Sequence, residues 1–219
     1  MKEIFKIAID GPSGAGKSTI AKAAARRLGI DYIDTGAMYR AIGLKMTELG
    51  IAMEENETLQ RMLDDTDIDF SRGDVILDGR IINDLIRTPE ISMAASACSA
   101  LGCVRAKLVE LQRKMGQKKS VIMDGRDICE VVLPDAEYKY YLTATAQERA
   151  RRRTAELIEK GQQVDYDQVL TDIQQRDYND MNRAITPLRK AADAVEIDST
   201  HMSVEEVVEF ICAPIEKKA

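Results

Sequence analysis

The most specific chemistry in this sequence lies in Gly11-Pro12-Ser13-Gly14-Ala15-Gly16-Lys17-Ser18-Thr19. Gly11, Gly16, Lys17 and Ser18 occupy the fixed positions of the phosphate-binding pattern G-x-x-x-x-G-K-[ST]. Glycines let the backbone curl until several N–H groups point inward as an anion nest. A helix N-terminus directly after them adds partial positive charge. Lys17 is placed to reach β- and γ-phosphates, and the Ser18 hydroxyl is placed to ligate Mg2+. The flanks agree: Ile4 to Ile9 reads as a strand, and the Ala-rich run Ile20 to Leu28 as a helix. All nine residues are therefore expected to bind a nucleoside triphosphate.

A phosphate loop does not name a reaction, because kinases, GTPases and motor ATPases share it. No Asn-Lys-x-Asp guanine clamp occurs in the chain. Two further polar clusters follow strand-like runs: Asp34-Thr35-Gly36-Ala37-Met38-Tyr39-Arg40 and Asp124-Gly125-Arg126-Asp127. Strand carboxyl ends line the ligand crevice of open α/β sheets, so both clusters are expected to face it. Each brings an arginine, the side chain suited to bidentate phosphate contact. A third cluster holds Arg176, Asp180 and Arg183 at helical spacing, which reads either as a solvated salt-bridged face or as ligand contacts. The run Arg149, Arg151, Arg152 and Arg153 has the same two readings; as a mobile arginine helix it would close over phosphates and exclude water.

These side chains need elements to carry them. Strand-like runs are expected at 31–34, 120–123, 138–142 and 195–198. They alternate with helices at 37–49, 54–63, 104–115, 145–160 and 165–182. Thr35 is a plausible cap of the 37–49 helix, and Thr88-Pro89 opens another that ends near Gly102. Ser203 caps a closing helix to Ile211. Strands alternating with helices imply a mainly parallel sheet covered on both faces. Short runs at 68–70, 75–77 and 80–82, with Asp78-Gly79 between the last two, predict a small antiparallel insertion. A formal net charge of −6 argues against a general nucleic-acid or membrane surface. The N-terminal apolar run is too short for a signal peptide, and no run is long enough to span a bilayer. Cys98, Cys103, Cys129 and Cys212 lack C-x-x-C spacing, and His201 is the only histidine; they read as reduced thiols of a cytoplasmic protein. No amphipathic seam stands out, so a monomer is expected.

Taken in order, Ile9 to Thr19, Asp34 to Arg40, Asp124 to Ile128, Arg176-Asp177, Asp180, Asn182-Arg183, Pro187-Leu188 and Asp198-Ser199-Thr200 resemble bacterial cytidylate kinases. The resemblance implies a P-loop kinase fold over 1–219. Its parts would be a core of 1–35, 101–148 and 164–219, a monophosphate-binding part of about 36–100 with its β insertion at 67–83, and a helical lid of about 149–163. It implies transfer of phosphate from ATP, with Mg2+, to CMP or dCMP, a step of pyrimidine nucleotide metabolism. It also implies Ser96, Arg105 and Asp127 as cytosine readers and Arg176 and Asp180 as ribose contacts. Arg40, Arg126 and Arg183 would form the acceptor-phosphate clamp, with Thr35 and Tyr39 beside it. Arg149, Arg152 and Arg153 would belong to the lid. Thr35 stands where the family commonly has Ser, Cys129 where it has Gly, and Cys103 where it often has Arg.

An acceptor phosphate is already an anionic nucleophile, so transfer requires alignment and charge neutralisation rather than a general base. Lys17, Arg126 and Arg183 are the expected catalytic groups. Ser18 would hold Mg2+ directly, with Asp34 or Asp124 acting through water. The alternatives are a P-loop kinase for another small acceptor and a nucleotide-switched binding protein.

Overall fold

A computed structural model describes residues 4–71 and 73–218. The chain divides into two compact units, 1–32 with 119–219, and 33–118.

In the first unit, β1 (Lys6–Asp10) lies in a five-stranded sheet. The other strands are β2 (Asp31–Asp34), β6 (Val121–Gly125), β7 (Tyr138–Thr143) and β8 (Val195–Asp198), in the order β2-β6-β1-β7-β8. β1 runs parallel to β6 and to β7, and β7 parallel to β8. Parallel strands need both faces covered. α1 (Lys17–Leu28) and α8 (Val204–Glu216) pack together, and Ile20, Ala24, Val207, Ile211 and Ile215 join Ile7, Ile9, Ile122 and Leu142 in one core. A second cluster joins α6 (Ala146–Glu159) to α7 (Tyr166–Asn182) through Ala150, Val169 and Ile173.

The closing helix starts as expected, with a reciprocal Ser203–Glu206 capping box, but runs beyond Ile211 to Glu216. Pro214 lies within it. A proline removes one backbone bond from a helix, and here burial of Ile215 in the core draws the last turn on.

The second unit contains α2 (Thr35–Leu49), α3 (Glu57–Asp64), β3 (Ile68–Ser71), β4 (Asp74–Leu77), β5 (Arg80–Ile81), α4 (Pro89–Cys98) and α5 (Gly102–Gln117). β3, β4 and β5 form the expected antiparallel meander. Asp78 and Gly79 take φ of 49° and 80°, the pair of positive values a two-residue I′ turn requires. α2 and α4 approach closely: a Cβ at Gly43 would lie 2.9 Å from the Ala95 nitrogen. The cap of α2 is Asp34, not Thr35. Asp34 Oδ1 accepts from Ala37 N at 2.8 Å while Thr35 is already helical. Adjacent Asp and Thr can both cap, and the end of β2 decides which one does.

Candidate active site

The phosphate loop links β1 to α1. A Cβ at Gly11 would lie 2.0 Å from the Leu142 carbonyl oxygen, so only glycine lets the loop pass β7. Gly14 and Gly16 take φ of 73° and 87°, the left-handed values that turn N–H groups inward. Lys17 is buried, and its ammonium donates to the Gly11 and Pro12 carbonyls at 2.8 Å each. Burial lowers its pKa well below the ordinary lysine value; the Arg126 and Arg176 charges push the same way, against Asp124 and Asp10. A cation so crowded by other cations gains from an anion brought to it.

Ser18 Oγ donates to Asp124 Oδ2 at 3.0 Å, and Tyr32 OH donates to Asp124 Oδ1 at 2.7 Å. A hydroxyl and a carboxylate are hard oxygen donors, suited to Mg2+ that retains most of its waters. Of the two carboxylates expected to serve a metal, Asp124 is the one bonded to Ser18. Asp34 is engaged at the N-terminus of α2 and with Arg40. Among the described residues, no group of three or more His, Cys, Asp or Glu side chains is gathered as a metal site.

Beyond β6, Arg126 Nε donates to Asp180 Oδ2 at 2.6 Å. Burial would raise the Asp180 pKa, but Arg126, Arg176 and Arg183 outweigh it and hold it below the usual value. α7 ends at Asn182, so the expected helical face carries Arg176 and Asp180 but not Arg183, which is extended at φ −64° and ψ 144°. Arg183 Nε donates to the Thr186 carbonyl at 2.6 Å, and its guanidinium lies 3.9 Å from Asp127. The first unit thus gathers Arg126, Asp127, Asp180 and Arg183 into one charged cluster.

Asp177 is the residue the sequence reading left without a role. One carboxylate oxygen accepts from Ser13 N at 3.2 Å, and the other meets Arg149 at 2.7 Å. Arg149 also donates to the Ser13 carbonyl at 2.8 Å. Ser13 is therefore gripped on both sides of its backbone, and Arg149 is buried against the loop. Arg152 reaches the Ser199 carbonyl at 2.6 Å, and Arg153 pairs with Glu156. Asp177 has no sequence signal beyond its place beside Arg176.

In the second unit, Arg40 approaches Asp34 at 3.2 and 3.4 Å, and its buried Nε has no hydrogen-bond partner among the described residues. Arg105 is buried on α5, with its guanidinium 5.9 Å from the Tyr39 ring centre. Thr35 is buried at the start of α2, and Ser96 is exposed on α4. Burial pushes the Cys98 thiol up to about 12 and Cys212 up to about 11; it also raises Cys129 and, with Glu55, Cys103, so each thiol stays protonated. Cys129 fits where glycine was expected because its backbone has no positive φ and its small Sγ tucks toward the Ala8 and Tyr140 carbonyls.

The family model described as cytidylate kinase matches residues 7–217. The chain belongs to the cytidylate kinase family. It is 55% identical over 215 residues to a cytidylate kinase of Caldicellulosiruptor saccharolyticus, covering 96% of this chain and 95% of that one. It is 51% identical over 217 residues to one of Clostridium perfringens strain SM101, covering 99% and 100%. Among solved structures it is similar to shikimate kinase from Bacteroides thetaiotaomicron (TM-score 0.51, 15% identity, 98% and 99% coverage). An uncharacterized protein from Eubacterium ventriosum is also similar (TM-score 0.54, 15% identity, 98% and 99% coverage). The likeness to shikimate kinase shows the kinase-type α/β fold expected from the sequence, a central parallel sheet flanked by helices. Family membership makes the protein a phosphotransferase.

Proposed function

We propose that this cytidylate kinase family member transfers the γ-phosphoryl group of ATP to CMP or dCMP, giving ADP and CDP or dCDP. The observation that carries the reading is 55% identity, along nearly the whole chain, to a protein named cytidylate kinase. The site chemistry supports it. Gly11 to Thr19 would hold the ATP phosphates, with Lys17 neutralising charge on the moving group. Mg2+ would be held by Ser18 and, through water, by Asp124, and would supply positive charge against the negative charge that develops in transfer. Arg126 and Arg183 would draw the acceptor phosphate into line, Arg176 and Asp180 would meet the ribose, and Asp127 would accept from the cytosine amino group. In the second unit, the family resemblance assigns acceptor contacts to Thr35, Tyr39, Arg40, Ser96 and Arg105. The unpartnered Arg40 Nε suits an incoming anion, because a buried donor without an acceptor costs about 1–3 kcal/mol.

Arg149, Arg152 and Arg153 would act from a lid of about 149–163. Arg149 already touches Ser13 and is the best placed of the three to follow the ATP phosphates. Among the described residues, no helix is long and apolar enough to cross a membrane. The working reading is a cytoplasmic monomer with small-molecule substrates.

The test is diphosphate formation from ATP·Mg2+ with CMP, dCMP, UMP, AMP and GMP offered separately, beside a control without acceptor. Turnover with CMP and dCMP, little with AMP or GMP and almost none in the control is expected. Preference for AMP or GMP would sink the cytosine assignment, and ATP loss independent of acceptor would sink the kinase reading.

A further inference from the structure

Asp10 ends β1 immediately before the phosphate loop, and no role in the reaction has been given to it. It is 1% exposed, and a buried carboxylate must be fully hydrogen-bonded to be tolerated. Its partners are two consecutive backbone donors: Ile128 N reaches Oδ1 at 2.8 Å and Cys129 N reaches Oδ2 at 2.9 Å. Those amides open the π-helical turn Ile128–Val132, which begins directly after Asp127.

Asp127 lies in no regular element. Its φ of −149° and ψ of 25° are those of neither helix nor strand. On one side it borders a cavity of about 460 Å³, lined also by Cys129, Glu130, Pro134, Lys139 and Thr186. The buried Ile128 and Cys129 side chains set the depth of the turn. Val131 N and Val132 N hold the Asp127 carbonyl at 2.9 and 3.3 Å from within the turn, and the two-point grip of Asp10 on Ile128 N and Cys129 N ties its first two peptide planes to β1. Charge-assisted bonds to backbone amides are short and directional, so a small rotation of the turn is resisted.

We propose that Asp10 is a specificity-determining positioning residue: its carboxylate, bonded to the Ile128 and Cys129 amides, aims Asp127 at the acceptor base. The inference rests on the reading of Asp127 as cytosine reader. Cytosine offers an amino donor where uracil offers a carbonyl acceptor, so a carboxylate accepting there favours CMP over UMP. A hydrogen bond weakens steeply as its angle falls, and a turn freed to rotate loses that preference first. Asp10 is also the residue before Gly11 in the chain, so the turn held by its hydrogen bonds and the phosphate loop share one anchor.

The experiment measures kcat/KM for CMP and for UMP in wild type, Asp10→Asn, Asp10→Glu and Asp127→Ala, with circular dichroism to confirm folding. Asparagine offers one carbonyl to two amides, whereas glutamate keeps the charge and moves it by a methylene. Asp10→Asn is expected to lower the CMP-to-UMP ratio about tenfold, mainly through KM for CMP, with Asp10→Glu falling between it and wild type. If asparagine does not fold, glutamate carries the test. A purely structural Asp10 would depress both acceptors in proportion. An unchanged ratio in the folded Asp10 variants, beside a collapsed ratio in Asp127→Ala, overturns the proposal alone. An unchanged ratio in Asp127→Ala overturns the base-reading assignment and the proposal with it.

Discussion

The two units satisfy their charged side chains differently. In the first, protein atoms take up the charges around the phosphate loop. Lys17 rests on two carbonyls, Asp177 and Arg149 hold Ser13 from both sides, and Asp10 grips two amides of the following turn. In the second, Arg40 leaves a buried Nε without a partner and meets Asp34 only at 3.2 and 3.4 Å. The phosphate loop is braced by the chain itself, and donors held in this way are pre-organised for charge brought to them. In the second unit, Arg40 retains a hydrogen-bonding capacity that no described residue uses.

Lys17 should break the contrast most sharply. Lys17→Ala is expected to cut kcat by about a thousandfold, the loss seen when one preorganised charge-stabilising donor is removed. Its melting temperature should not fall, because the replaced ammonium is buried and opposed by Arg126 and Arg176. Steady-state kinetics beside a thermal melt checks both; turnover retained in a folded variant would remove Lys17 from the chemistry.

Asp177→Ala leaves Arg149 buried without its carboxylate partner. Loss of one partner of a buried ion pair costs about 4 kcal/mol. Denaturant unfolding should register that loss, and KM for ATP should rise while KM for CMP stays near wild type. A change confined to CMP would mean that the brace serves the other substrate.

Asp10 gives a pH signature. Burial raises its pKa from 3.8 to about 6; the Ile128 and Cys129 amides and the Cys129 thiol oppose this, and the Asp127 charge adds to it. The folded value lies above the unfolded one, so the associated stability is full below pH ~4 and is lost as pH rises through about 6. The difference of about two pKa units corresponds to about 3 kcal/mol. Unfolding free energies at pH 4 and pH 8 should therefore differ more in wild type than in Asp10→Asn, by about that amount. Parallel pH dependence in the two proteins would contradict a strained, ionised Asp10 at neutral pH.

Arg40 tests the other unit with the smallest effect. Arg40→Ala removes a half-buried guanidinium whose contacts with Asp34 are long and whose Nε has no partner among the described residues, so only a small loss of stability is expected. KM for CMP should increase about tenfold to a hundredfold, as expected for a lost charge-assisted bond of about 1.5–3 kcal/mol. KM for ATP should not move. A fall in stability without a change in KM would make Arg40 structural.

Much of this was legible in the chain because it rests on local pattern. The phosphate loop has fixed spacing and the right flanks. The Asp78-Gly79 turn supplies two positive φ values. The Thr88 cap accepts from Ile91 N at 3.2 Å, ahead of Pro89, and Ser203 heads its capping box. The residues read less well are those whose role depends on distant partners. Thr35 reads as the cap of α2 where Asp34 takes that place, and Arg183 continues a helical spacing that the backbone abandons one residue earlier. The closing helix, expected to end at Ile211, runs through Pro214 to Glu216 with Ile215 buried.

The sequence by itself determined the phosphate-binding loop, the alternation of strands and helices, the antiparallel insertion and the family. Each depends on residue types at short, fixed separations, where sterics and hydrogen-bonding capacity leave few choices. Only the tertiary structure decided that Asp124 rather than Asp34 accompanies Ser18, that Asp177 braces Ser13, and that Asp10 holds the turn after Asp127. Those bonds join residues 106, 164 and 118 positions apart. A carboxylate's partner at such separation is set by which strands lie side by side, and the order β2-β6-β1-β7-β8 is written in no local stretch of the chain.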